Sequence, residues 1–336
     1  MERSIACPGS ARPRWSRFCA EARRRRPGQR GSVVLVLLSV MVAAPLFFSS
    51  EYHYDLAILV GINAAVVISL NLLMGYAGQI SLGHAGFFGI GAYAAAILTG
   101  RYGWPSPLAL AAGPLLSGVL AFAIARPILR LTGYYLAMAT LALGMIIFIV
   151  IETETALTGG PDGMTVPSLS AFGMTLTGGR AWYWIVATVL LLISAGALNL
   201  VDSAIGRALR ALHGSELAAR TAGVDVLRYK VLVFVLSATV TALMGGLFAF
   251  YSGFITPASA GFMHSVAFAV MVVLGGLGSL EGSLLAALIL TLLPQLLASF
   301  AEYEWLVYGL ILMLVMTRMP RGLAPTLAAL IRRAAR

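Results

Sequence analysis

The sequence predicts an all-α polytopic membrane protein, and three observations predict it. Of the 336 residues, 60% are hydrophobic and only 11% charged, and the mean hydropathy is +0.91. A water-soluble domain carries about 25% charged residues, so 23 basic and 13 acidic side chains cannot cover a soluble surface of this size. The apolar residues gather into ten runs, at 33–49, 55–75, 84–99, 106–125, 134–151, 181–200, 231–251, 264–278, 283–299 and 304–319. Most approach the ~20 residues that a helix needs to cross a bilayer. With the N-terminus in the cytoplasm, 21 of the 23 basic residues fall inside and only Arg101 and Arg180 outside. That is the positive-inside bias expected of about ten spans with both termini cytoplasmic. The runs at 84–99 and 264–278 are short and glycine-rich, which sets the range at eight to ten.

Taken in order, residues 1–30 form an Arg-rich cytoplasmic extension that is expected to be disordered. Arg23 to Arg26 before an apolar run has the outline of a secretory or twin-arginine signal. The run at 33–49 is longer than a signal core and no small-residue cleavage site follows it, so it reads as an uncleaved first span. Residues 31–320 make up the membrane domain, and 321–336 a basic cytoplasmic tail. Cys7 and Cys19, the only cysteines, both lie in the extension and can neither staple the fold nor build a metal site.

The sequence excludes several chemistries. A nucleotide-binding P-loop needs Gly-Lys-Ser/Thr, and the sole lysine is Lys230, in Arg228-Tyr229-Lys230. The four histidines (His53, His84, His213 and His264) lack zinc-ligand spacing. There is no Gly-x-Ser-x-Gly elbow, and no nucleophile–base constellation marks an enzyme. The net charge of +10 is a matter of topology in so apolar a chain, not a nucleic-acid surface. Asp55, Glu152 and Glu154 lie at predicted span ends and Glu281 in a predicted turn, so no acid is placed for proton coupling. A sodium-coupled carrier using backbone carbonyls stays open.

Three segments depart from plain spanning helix. In the first, Gly75, Gly78, Gly83, Gly86, Gly89 and Gly91 interrupt an apolar stretch that also holds Gln79, Ser81 and His84. Non-helical backbone survives in a bilayer only where protein buries it or it lines a cavity. Two readings stand: a broken or re-entrant element lining or gating a translocation path through Gly75, Gly78, Gln79, Ser81 and His84, or close helix packing by small residues. A weaker echo at Gly275-Gly276-Leu277-Gly278-Ser279 puts glycine-rich breaks in both halves, as in transporters built from repeats.

The second segment, Thr158-Gly159-Gly160-Pro161-Asp162-Gly163, is strong turn chemistry in the longest outside loop. It reads as a surface turn or as a docking loop for an external partner. The third is the inside loop 202–230. Apolar residues at 205, 208, 209 and 212, and again at 217, 218 and 222, follow helical spacing. Ser215-Glu216 is a helix start with an acid in its first turn, and Gly223 is a natural stop. Two amphipathic helices too short to span are expected there, with Ala218, Ala219 and Ala222 as a small-residue face suited to a partner's groove.

Together these segments carry a resemblance. The stretch Gly75 to Gly91, the segment Gly133 to Gly144, the turn Thr158 to Gly163, the loop 205–225 running into Lys230, and the turn Leu274 to Gly282 occur in one order over roughly 55–320. In this the chain resembles the membrane permeases of bacterial ABC importers for branched-chain amino acids, the longer of their two types. The resemblance implies an alternating-access importer in the cytoplasmic (inner) membrane, embedded in lipid. Its other parts would be a second homologous permease, two cytoplasmic ABC ATPases and a periplasmic substrate-binding protein. It implies no cofactor in this chain, with ATP and magnesium held by the ATPases. It also implies that Arg207, Arg210, Glu216, Ala218, Ala219, Arg220 and Gly223 form the ATPase-coupling region. Leu217 departs from the family's Glu-Ala-Ala pattern and offsets it by one. Thr158, Gly159, Gly160, Asp162 and Gly163 would face the binding protein. Relatives of this architecture also import urea, short amides and other amino acids. A self-sufficient channel or ion-coupled carrier is the alternative from another class.

Overall fold

In lipid, a backbone polar group has no water to bond, so each apolar run is driven into helix. The computed structural model describes residues 28–296 apart from 49, 172, 173 and 177, and beyond them 309, 310, 313, 317 and 322. The apolar helices are α1 (Gly28–Phe47), α2 (Glu51–Asn71), α3 (His84–Gly100), α4 (Ser106–Ile128), α5 (Tyr134–Thr153) and α6 (Gly179–Asp202). Two short helices follow, α7 (Ala204–Gly214) and α8 (Glu216–Thr221). Three more apolar helices complete the order: α9 (Val226–Ser252), α10 (Phe262–Gly275) and α11 (Leu280–Leu296). Nine of the ten expected runs are thus helical, and the tenth, at 304–319, lies outside the described residues, as do the extension before residue 28 and most of the C-terminal tail.

Five of these helices, those around α2, α4, α5, α6 and α9, are long and apolar enough to cross a membrane. The chain is an all-α, multi-pass membrane protein. Two of the apolar helices are short: α3 and α10 have 17 and 14 residues. At 1.5 Å per residue they reach only ~21–26 Å, less than a ~30 Å hydrocarbon core. Both abut the glycine-rich segments, as does the start of α11.

The centre belongs to α2 and α9. In its most apolar window α2 with its extension is 72% buried and α9 56%, against 28% for α4. α2 packs on α6, α9, α10 and α11, while α9 packs on α3 and α4. Small residues set these distances. A methyl on Gly61 would sit 2.6 Å from Val186 Cγ1, and one on Gly91 would enter the Ala242 carbonyl. Gly245 meets the Phe88 carbonyl in the same way, so α3 and α9 cross nearly backbone to backbone. The outer faces of α4 and α5 present Leu115, Val119, Phe122, Met138 and Ile146, a surface suited to lipid or to another membrane subunit.

Proline leaves its mark on α1. Pro45 has no N–H for the carbonyl four residues back, and that carbonyl, of Met41, instead accepts the Tyr183 hydroxyl at 2.7 Å. A lost helix bond thereby becomes a tie to α6.

The loops sort into two sets. At one end β1 (Met164–Thr165) pairs antiparallel with β4 (Phe254–Ile255). Beside them lies the hairpin of β2 (Ser170–Ala171) and β3 (Met174–Thr175), with the Ser170 N–H bonded to Ser106 Oγ at 3.2 Å. At the other end lie the two glycine-rich breaks and the helices α7 and α8.

Candidate functional site: two breaks and a two-helix loop

The first break begins as a π-turn. Beyond Asn71 the chain underwinds through Leu72–Tyr76, with Ala77 N–H bonded to the Leu72 carbonyl at 3.3 Å and Gln79 N–H to the Leu73 carbonyl at 3.1 Å. Gly78, at φ +69°, turns the chain out of the helix, and α3 starts at His84. The second break turns on Gly276 and Gly278, at φ +101° and +78°, before Ser279 leads into α11.

The two breaks are one structure, joined by Asn71. Its Nδ2 donates to the Ser279 carbonyl at 2.9 Å and to Ser283 Oγ at 2.6 Å, while its Oδ1 accepts the Gly278 N–H at 2.9 Å. All these groups are buried or nearly so. Gly75 is glycine because any side chain there would strike Asn71 Oδ1 and the Gly278 backbone. Packing and interruption, which the sequence offered as competing explanations of the glycines, therefore both hold at this break.

The far side of the first break is fastened by three other helices. Buried His84 shares hydrogen bonds with Ser81 Oγ through Nδ1 at 2.8 Å and with Ser237 Oγ of α9 through Nε2 at 3.0 Å. Leu82 N–H donates to Thr140 Oγ1 of α5 at 3.1 Å, and Ala85 N–H to Ser265 Oγ of α10 at 3.0 Å. Gly83 and Gly144 pack face to face, a methyl on Gly144 coming within 2.8 Å of Gly83 Cα. Gln79 differs from its neighbours. Its side chain is 2% exposed, and neither amide atom has a hydrogen-bond partner among the described residues.

Loop 202–230 folds as two short helices. Ser203 caps α7 by accepting the N–H groups of Ile205 and Gly206, and Arg210 donates to the Val201 carbonyl at 2.8 Å, closing the end of α6. Arg207 donates to Asp202 O at 3.4 Å. Ser215 caps α8 through Ala218 N–H. Gly223, at φ +81°, ends it with Val224 N–H on the Ala219 carbonyl. Glu216 is ion-paired to Lys230, whose side chain is 5% exposed at the foot of α9. The small-residue face is split: Ala219 is buried against the core, whereas Leu217, Ala218, Arg220, Ala222 and Gly223 face outward, Leu217 at 77% exposure.

The loop reaches the break directly. The His213 ring lies over Gly78, so that a methyl added there would be 2.9 Å from Nδ1. The turn at the opposite end touches neither break. In it Thr158 is buried and donates to the Ile151 and Glu154 carbonyls, while Gly160 N–H bonds back to its hydroxyl at 3.1 Å. Gly159, Gly160 and Gly163 all take positive φ, and Asp162 is exposed. The five candidate path residues thus share one break, which the loop meets at His213, and the turn residues form a separate hydrogen-bonded corner. Asn71, Thr140, His213, Ser237, Ser265 and Ser283 complete the site without having been singled out from sequence. The signal of Asn71, Thr140, Ser237, Ser265 and Ser283 was a lone polar side chain in an apolar helix, whereas His213 is one of several polar residues on the amphipathic α7. Among the described residues no cluster of three metal-ligating side chains occurs.

Residues 53–316 match the family described as branched-chain amino acid transport system / permease component. The chain is 34% identical over 316 residues to the high-affinity branched-chain amino acid transport system permease protein LivM of Salmonella typhimurium, covering 87% of this chain and 74% of that one. Its identity to LivM of Escherichia coli is also 34%, over the same shares. To the corresponding LivH of Escherichia coli it is 30% identical, covering 77% of this chain and 90% of LivH. No solved structure matches it. With the family model spanning both breaks and the two-helix loop between them, the chain belongs to the branched-chain amino acid transport system permease family.

Proposed function

We propose that this chain is one of two homologous permease subunits of an ATP-driven importer that carries branched-chain, aliphatic amino acids across the bacterial inner membrane. The observation that carries the reading is the basic two-helix loop, with Leu217 exposed on its outer side and His213 set against the first break. Such a loop is suited to receive movement from a cytoplasmic ATPase and pass it to the membrane helices. Two ATPases bind ATP and magnesium, and this chain binds neither. Its similarity to both LivM and LivH supports a second permease as the partner.

Ten spans with both termini cytoplasmic fit the separation of the loops. Arg126, Arg130, Arg207, Arg210, Arg220 and Arg228 lie on the α7 and α8 side, and Arg101 and Arg180 on the strand side. A loaded binding protein docks on the strand side, over the corner Thr158 to Gly163. ATP-driven closure of the ATPases then moves α7 and α8, and the break at Gly75–His84 opens the path inward. The test is uptake of radiolabelled leucine by proteoliposomes holding the co-expressed permeases and ATPases, with binding protein outside and ATP inside. Uptake that needs all components supports the reading. Uptake by this chain alone without ATP would overturn it in favour of a carrier.

A further inference from the structure

The first break is fastened to other helices at both ends, whereas its middle is held only by the Gln79 N–H on the Leu73 carbonyl within the break. On one side Asn71 bonds it to the second break. On the other, Thr140, Ser237 and Ser265 hold Leu82, His84 and Ala85. Between these fastenings lie Gly78, Gln79 and Ile80. Gly78 and Ile80 are exposed, and the Gln79 amide is buried without a partner among the described residues, an arrangement that costs free energy as it stands. The group set against this stretch is the His213 ring, over Gly78.

His213 stands near the end of a lever. α7 has 11 residues, ~16 Å at 1.5 Å per residue. Its root is held to α6 by the Ser203 cap and by Arg210 on the Val201 carbonyl. Its tip continues through Ser215 into α8, which carries the outward-facing Leu217 and is tied to α9 by Glu216 and Lys230. A push on α8 therefore has two routes inward: through the ion pair to α9, and through His213 to Gly78. The second route ends on a left-handed glycine, where a small rotation of the backbone redirects the next side chain.

We infer that His213 is the positioning residue through which the cytoplasmic loop turns the Gly78–Ile80 segment, swinging the Gln79 amide out of its buried position into the path during transport. This rests on the permease reading above. The ring acts by bulk, as a packed contact, so its shape matters rather than its ionisation.

The test uses the whole complex in proteoliposomes with binding protein and radiolabelled leucine, comparing wild type, His213→Ala and His213→Phe. Expected for His213→Ala is normal assembly with the ATPases and normal basal ATP hydrolysis. Leucine moved per ATP should fall at least about fivefold, the low end of coupling between sites. His213→Phe, which restores a ring, should recover most of that loss. An uptake-to-hydrolysis ratio for His213→Ala equal to wild type overturns the inference. Loss of ATPase binding by His213→Ala also overturns it, by making His213 a docking residue. So does a His213→Phe variant as impaired as His213→Ala. A wild-type complex without ATP-dependent uptake instead brings down the permease reading itself, so the two failures are told apart by the unmodified protein.

Discussion

Asn71 shows how much one amide can hold in a medium without water. It bonds to four groups of the opposite break and the start of α11, among them a backbone N–H with no helical partner of its own. Asn71→Leu keeps the volume and strands those groups, each costing about 1–3 kcal/mol when buried. A loss of about 2–4 kcal/mol is expected, read as a lower melting temperature of the detergent-solubilised chain. Glu216 and Lys230 make the complementary case. Lys230 is buried while Glu216 is 36% exposed, so removing the acid leaves the covered ammonium without its counter-charge, whereas replacing both with apolar residues is often harmless. Glu216→Leu should therefore destabilise the chain, and Glu216→Leu with Lys230→Met should recover most of the loss, a non-additivity that a double-mutant cycle on melting temperatures measures. Charge reversal at Glu216 repels Lys230 outright, and is expected to abolish coupled uptake while membrane insertion, followed by fractionation, is kept.

At the level of helices, glycines divide by what a methyl would meet. Gly91→Ala drives a carbon into the Ala242 carbonyl where α3 crosses α9, so the helices must separate, at a cost of about 1–3 kcal/mol or more. Gly196 in α6 has nothing within 4 Å and an ordinary helical backbone, so Gly196→Ala should gain up to about 1 kcal/mol from helix propensity. Thermal unfolding of the two variants side by side checks the contrast. These elements also show where sequence is legible. Nine helices follow the apolar runs, and Ser215 and Gly223 bound α8 as their side chains and conformation demand. The breaks could be located from glycine spacing, but their meeting could not, because Asn71 and Ser279 are 208 residues apart in the chain. Nor could Ala219 be assigned inward from a pattern of three alanines, since α8 has only 6 residues and periodicity needs more than two turns to fix a face. His213 was hidden for the same reason as Asn71: its partner, Gly78, is distant in sequence and near only in space.

For the molecule as a whole, the orientation in the membrane is open to a test built into its composition. Cys7 and Cys19 are the only thiols, both ahead of the first span. A membrane-impermeant maleimide should leave them unlabelled in intact spheroplasts and label them in inside-out vesicles; the reverse pattern would place the N-terminus outside. The single lysine offers a parallel handle of a different kind. Lys230 is ion-paired to Glu216 and almost fully covered, so amine-directed reagents find no ready side-chain target in the described part of this subunit. An amine cross-linker applied to the assembled complex would join lysine-bearing neighbours to one another more readily than to this chain through its sole, covered lysine. Any adduct that did form at Lys230 would record a moment when α8 had swung away from α9. The protein therefore carries one native chemical reporter, silent while the loop is seated and marked once, irreversibly, in a molecule whose loop has lifted.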